Sequence, residues 1–208
     1  MMLGAGVMTI ALAVAVTLSA QGGPPGGGGR GQGGGGGRGG GRGPGGPPMA
    51  MTTTAFEDGG VIPAKFVGAM GVSPELKWTN TPMGTQSFVL LMHDPDVALG
   101  GNSLDVTHWL VWNIPGTATS LPEGMMAAAE LPDGTRQVSL RAMGYMGPGA
   151  PANGPYHHYT FELFALDTKL DVPAAANAQE AAAKREAVMM AMQGHIRGKA
   201  VVVGRFHQ

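Results

Sequence analysis

Two short segments of this chain carry nearly all of its candidate chemistry. The first, Met92-His93-Asp94-Pro95-Asp96, runs on to Thr107-His108-Trp109. The second starts 55 residues later as Gly147-Pro148-Gly149-Ala150-Pro151 and runs on to Gly154-Pro155-Tyr156-His157-His158-Tyr159. Each sets carboxyl or imidazole groups at the mouth of an apolar, strand-like run, with turn-forming Pro and Gly beside it. In a strand, alternate side chains share a face. Phe88, Leu90, Met92 and Asp94 therefore fall on one face, with His93 on the other. By the same spacing His157, Tyr159, Phe161 and Leu163 share a face, with His158 turned away. His108 opens the next apolar run and can join Asp94, His157 and Tyr159 where these faces meet loops. A carboxylate, two imidazoles and a phenol, ringed by Gly and Pro backbone, suit a phosphate or a carboxylate. The imidazoles donate, most strongly when protonated, and glycine lets backbone N–H groups come close. Asp94 then orients a histidine or accepts from a protonated ligand.

Each of these residues also has a plainer reading. Asp-Pro is a common turn dipeptide whose carboxylate accepts backbone N–H bonds. Asp94 alone would be read that way, but the two motifs together favour a pocket. His108 beside Trp109 is equally a core histidine. His93, His195 and His207 are read as surface or structural. Asp94, Asp96, His108 and His157 are acceptable metal ligands, yet no tight ligand spacing joins them. The chain has no Gly-x-Ser-x-Gly elbow and no cysteine nucleophile. A metal-dependent hydrolase therefore ranks below a binding site without catalysis, cofactor or metal.

Strands must hold these groups. Residues 87–92 and 109–114 are near-continuous apolar runs and read as central strands. Residues 159–166 alternate, 199–206 close the set, and 137–140 is a weaker strand. An edge strand is expected over 61–67, where Pro63 is tolerable, and a capped turn over 73–78 leads into another. One helix is expected over 177–192, opened by the capping-box pattern Asn177-Ala178-Gln179-Glu180 and stopped by Gly194. Val188, Met189 and Met192 give it an apolar stripe. The sum is a mostly β chain, a sandwich with one late helix.

Asp94-Pro95-Asp96 with His108-Trp109, then Gly147-Pro148-x-x-Pro151 and His157-x-Tyr159-x-Phe161, resemble the phosphatidylethanolamine-binding protein family. The likeness is strongest to its bacterial Raf-kinase-inhibitor-like branch. Val72-Ser73-Pro74-Glu75-Leu76-Lys77-Trp78 and Phe164-Ala165-Leu166-Asp167 support it, and the resemblance covers residues 56–206. It implies two packed β-sheets with a C-terminal helix. It also implies that Asp94, His108, His157 and Tyr159 line an anion pocket whose rim is shaped by Pro95, Asp96, Gly149 and Pro151. Three positions depart from the family pattern: Ala98 and Ala150 stand where Pro is usual, and His158 where Arg is usual. The first two loosen the rim; the third faces away.

The rest of the chain sets the context. Residues 2–20 are uncharged and mostly apolar, ending in Ser19-Ala20, which reads as a signal peptide or an uncleaved N-terminal anchor. Either places the remainder outside the cytoplasm, periplasmic or secreted. Of residues 21–48, 18 are Gly and three are Arg, the composition of a disordered linker. Residues 49–208 are the size of one domain. Without the three linker arginines they hold ten basic against 14 acidic residues, which leaves no basic excess for nucleic acid. The absence of cysteine excludes disulfides, thiolate metal sites and lipidation at a lipobox cysteine. The functional reading is an exported binding module for a small anion or phospholipid headgroup. The alternative is an inhibitor of a protease or kinase acting through the same rim. Oligomeric state is open.

Overall fold

The computed structural model describes residues 46–69, 71–99 and 104–208. The apolar segment at 2–20 and all but the last three residues of the Gly-rich tract lie outside the described residues. In chain order the strands are β1 (Ala50–Thr52), β2 (Leu76–Thr79), β3 (Ser87–Asp94), β4 (Val106–Pro115), β5 (Ser120–Leu121), β6 (Arg136–Val138), β7 (His157–Leu166) and β8 (Ile196–Phe206). The α-helix α1 (Ala181–Ala191) lies between the last two. A three-stranded sheet has the order β1-β2-β5, and a five-stranded sheet the order β6-β4-β3-β7-β8, every neighbouring pair antiparallel. The expected mostly β, two-sheet architecture with a C-terminal helix is what the chain adopts.

The large sheet is covered on both faces, which explains why β3 and β4 read as unbroken apolar runs. Phe88, Leu90 and Met92 enter the core shared with the small sheet, where Trp78 meets Phe88 at 5.1 Å between ring centroids. Val89 and Leu91 point the other way, into a second core closed by Val188 and Met192 of the α1 segment. The three buried indoles keep their N–H groups paired: Trp78 to the Ala118 carbonyl at 3.0 Å, and Trp109 to Gln137 Oε1 and Trp112 to the Val172 carbonyl, both at 2.9 Å. Neither core therefore contains an orphaned indole donor.

Helix entry follows the sequence signal with a shift. Asn177 Oδ1 accepts the Gln179 N–H at 3.1 Å, and a 3-10 turn at Ala178–Glu180 precedes the α-helix. Glu180 reaches back to the Ala176 N–H rather than to that of Asn177. Gly194, at φ 82°, ends the segment. The edge strand expected over 61–67 is a correction. Val61 makes one isolated parallel bridge to Arg205, and a 3-10 turn follows at Ala64–Phe66. Pro63 has no N–H to extend a ladder, and its carbonyl instead accepts the Phe66 N–H at 3.0 Å.

Candidate functional site

The strand ends and three loops enclose a cleft of about 410 Å³. Asp94, at the end of β3, is almost fully buried. Its Oδ2 accepts from His157 Nδ1 at 2.8 Å, and its Oδ1 accepts the Asp96 N–H at 3.0 Å. His157 opens β7, and Tyr159 lies two residues on, on the same face, its side chain buried against the cleft. The Gly149 N–H donates to Tyr159 Oη at 3.3 Å. Burial, then the charge of Asp94, push the phenol up to about 12 against the opposing Gly149 and Ala150 N–H groups. At neutral pH it stays protonated, a donor and not a phenolate.

His108 arrives by a different device. Met92 pairs with Trp109 and His93 with Thr107, so His108 is an extra residue in β4, a β-bulge. Regular alternation back from Trp109 would send His108 to the helix side. The bulge returns it to the cleft side, where its ring stands edge-on to Tyr159 at 5.0 Å. Its Nδ1 meets the Met146 carbonyl at 2.9 Å, so that nitrogen carries the hydrogen. Burial holds the imidazole below its ordinary pKa, although the Met146 carbonyl and the Asp94 charge pull upward. The ring is therefore neutral at pH 7.

The floor is a backbone clamp. Gly68 N–H donates to the Pro148 carbonyl at 2.8 Å, Gly147 N–H to Gly68 at 3.0 Å, and Met146 N–H to the His108 carbonyl at 3.0 Å. A Cβ on Gly147 would collide with the Phe66 carbonyl and with the Gly68 backbone, so only glycine fits there. Tyr145 Oη donates to that same Phe66 carbonyl at 2.7 Å, and burial raises its pKa.

Of the eight residues singled out from sequence, Asp94, His108, His157, Tyr159, Gly149 and Pro151 line the cleft. Pro95 and Asp96 do not; they form an exposed turn beside it. Asp96 acts through its N–H on Asp94, and its own carboxylate is pinned by His158, whose N–H and Nδ1 lie at 2.6 and 3.0 Å from Oδ2. Burial raises the Asp96 pKa, but those two bonds outweigh it and the net shift is downward. His158 thus faces away as expected, yet holds the turn.

Sequence reasoning missed Arg141. It lines the cleft, is exposed, and has no hydrogen-bond or ion-pair partner among the described residues. It sits in an irregular loop with no motif spacing to mark it. Val97, Leu99, Val106 and Leu140 supply apolar wall. Among the described residues no group of three or more His, Asp or Glu side chains is arranged to hold a metal.

Comparison with known proteins identifies the family. The sequence pattern of the family described as Phosphatidylethanolamine-binding protein matches residues 52–207. A UPF0098 protein of Methanothermobacter thermautotrophicus is 37% identical over 163 residues, covering 77% of this chain and 99% of that one. The Mycobacterium tuberculosis protein named "Putative lipoprotein LppC" is 34% identical, covering 76% of this chain and 72% of its own length. Among solved structures, Escherichia coli YbcL, described as a new member of the mammalian PEBP family, aligns with a TM-score of 0.63 at 26% identity. That alignment covers 78% of this chain and 99% of YbcL. A sequence pattern spanning nearly all the described residues, full-length relatives and a shared fold together place the chain in the phosphatidylethanolamine-binding protein family.

Proposed function

We propose that this chain is an exported, non-catalytic binding protein whose cleft holds a small anion of the phosphate or phospholipid-headgroup type. The observation that carries the reading is the unpartnered Arg141 in a cleft whose acidic group, Asp94, is already engaged by His157 and the Asp96 N–H. A cation left free beside a satisfied carboxylate favours an incoming anion. His157 commits Nδ1 to Asp94 and keeps Nε2 for a ligand, which it can hold as a donor once protonated. Tyr159, kept protonated, adds an O–H. The non-catalytic reading is supported by Asp94, whose two carboxylate oxygens are already committed to His157 Nδ1 and the Asp96 N–H.

Calorimetric titration of the full chain with phosphoethanolamine and with inorganic phosphate tests this. Wild-type binding should weaken about tenfold in Arg141→Ala, the loss of one charge-assisted hydrogen bond of about 1.5 kcal/mol. No binding by the wild type would overturn the reading. The weight would then pass to a protein target, a protease or kinase, at the exposed rim of Pro95, Asp96, Gly149 and Pro151.

Export is supported by the uncharged apolar segment at 2–20 and by the name of the mycobacterial relative. The sequence has no cysteine to carry a lipid thioether, so the tether proposed for this chain is the apolar segment. No helix among the described residues is long and apolar enough to cross a membrane. The intact mass of the protein recovered from the envelope fraction decides between cleavage near Ala20 and an uncleaved anchor. Recovery with the cytoplasmic fraction alone would refute export.

A further inference from the structure

The cleft does not end at its apolar wall. Leu99 and Leu140 also line a second depression, of about 590 Å³, between the start of β4 and α1. Its far side is built from Ala181, Ala182 and Met189. Among the described residues, the small alanines that open the helix leave this trough unfilled. Its charged floor is self-satisfied: Asp105 is paired with Arg185 and His93, and Arg185 also reaches Thr107 Oγ1. Among the described residues no free cation lines the trough, and Glu186 would repel an anion there. Arg141 lines the cleft and directly follows Leu140, which lines both depressions.

We infer that the trough holds the alkyl chain of a ligand whose anionic head occupies the cleft, so that the protein takes a single-chain anionic amphiphile. The inference rests on the anion reading above. It assigns the head to the end with a free cation and polar donors, and the chain to the end whose cation is already paired with Asp105 and whose walls are mostly apolar. Leu99 and Leu140, which line both, set the two depressions side by side.

The test is a calorimetric series on the full chain with n-alkyl phosphates from ethyl to decyl, each below its micelle concentration, with inorganic phosphate as reference. Affinity should rise with length by up to about fourfold per buried methylene, with a heat-capacity change that grows more negative along the series. Ala182 is exposed on the helix, so Ala182→Trp fills the trough without entering either core. That variant should keep the wild-type affinity for phosphate and lose the gain with chain length, while Ala182→Ser keeps both. Phosphate binding with no dependence on chain length would overturn this inference and leave the anion reading standing. A length dependence unchanged in Ala182→Trp would overturn the trough as its location. Failure of every phosphate to bind would remove the anion reading and this one with it.

Discussion

His93 and Asp94 are neighbours on one strand, and each belongs to a His–Asp pair of nearly the same length, but the two pairs have different surroundings. On the helix side, His93 Nδ1 lies 2.7 Å from Asp105, which also binds Arg185 from α1. His93 Nε2 faces Glu162 at 3.9 Å, and Glu162 is paired with Lys199. Burial raises the Asp105 pKa, but Arg185 and His93 outweigh it and hold the carboxyl below its usual value. On the cleft side, among the described residues, His157–Asp94 has no permanent cation on its carboxylate, and Arg141, which lines the same cleft, is unpaired. The first pair is a strap between helix and sheet; the second stands at an open volume with donors to spare. A His–Asp pair alone therefore does not mark a site. What marks it is unspent hydrogen-bonding capacity beside space for a ligand.

The comparison can be broken most severely at the floor of the cleft. Gly147→Ala should cost about 3 kcal/mol, the upper range of overpacking, because its methyl meets backbone rather than a side chain that can move. Gly149→Ala, two residues on, meets nothing within 4 Å and should stay within about 0.5 kcal/mol of wild type. Denaturant midpoints for the two variants decide it; equal losses would mean the clamp is not what holds the floor. Next is the strap. Arg185→Ala leaves Asp105 half-buried with one partner fewer and should cost about 2 kcal/mol, below the figure for a fully buried pair because both side chains keep some solvent. Anion affinity should not change. A parallel loss of affinity would show that the two faces are one device.

A smaller effect separates the histidines themselves. His157→Ala should weaken phosphate binding about tenfold, or about 1.4 kcal/mol, while His93→Ala lowers the melting temperature and leaves affinity alone. The reverse result, affinity following His93, would move the site to the helix face.

Much of this contrast was legible in the sequence, and the part that was not has physical reasons. Period-2 alternation assigns Asp94 and His93 to opposite faces and brings Asp94, His157 and Tyr159 together, because β3 and β7 are regular at those ends. β1 and β5, three and two residues long, are too short to show any period. Residues 61–67 looked like a strand because Val61, Ile62, Phe66 and Val67 are apolar. Two of them, Ile62 and Phe66, are indeed buried, but from a 3-10 turn and its approach rather than from a ladder. His108 was only a candidate, since its orientation depends on a bulge that no residue in 106–109 announces. Arg141 was invisible: its importance is that nothing among the described residues pairs with it, a property of the whole surroundings.

The smallest predicted effect concerns that bulged histidine and depends on pH. An unfolded chain protonates His108 near its ordinary value of about 6.5. The folded chain resists, because burial penalises the charged ring and its pKa is held lower. Between the two values the unfolded state binds more protons, so stability rises with pH there. The contribution of a neutral His108 is thus fully present above the unfolded value and is lost as pH falls through the folded one. His108→Asn keeps an amide N–H where Nδ1–H meets the Met146 carbonyl but cannot titrate. The variant should be less stable than wild type at pH 7.5, and the gap in melting temperature should narrow steadily toward pH 5. The other ionisable groups are the same in both proteins, so their contributions cancel in the difference. A gap that stayed constant with pH would mean the ring does not change its charge on unfolding. A gap that widened on acidification would mean the ring is held charged inside the fold, reversing its role from a neutral partner of the Met146 carbonyl to a buried cation beside Asp94.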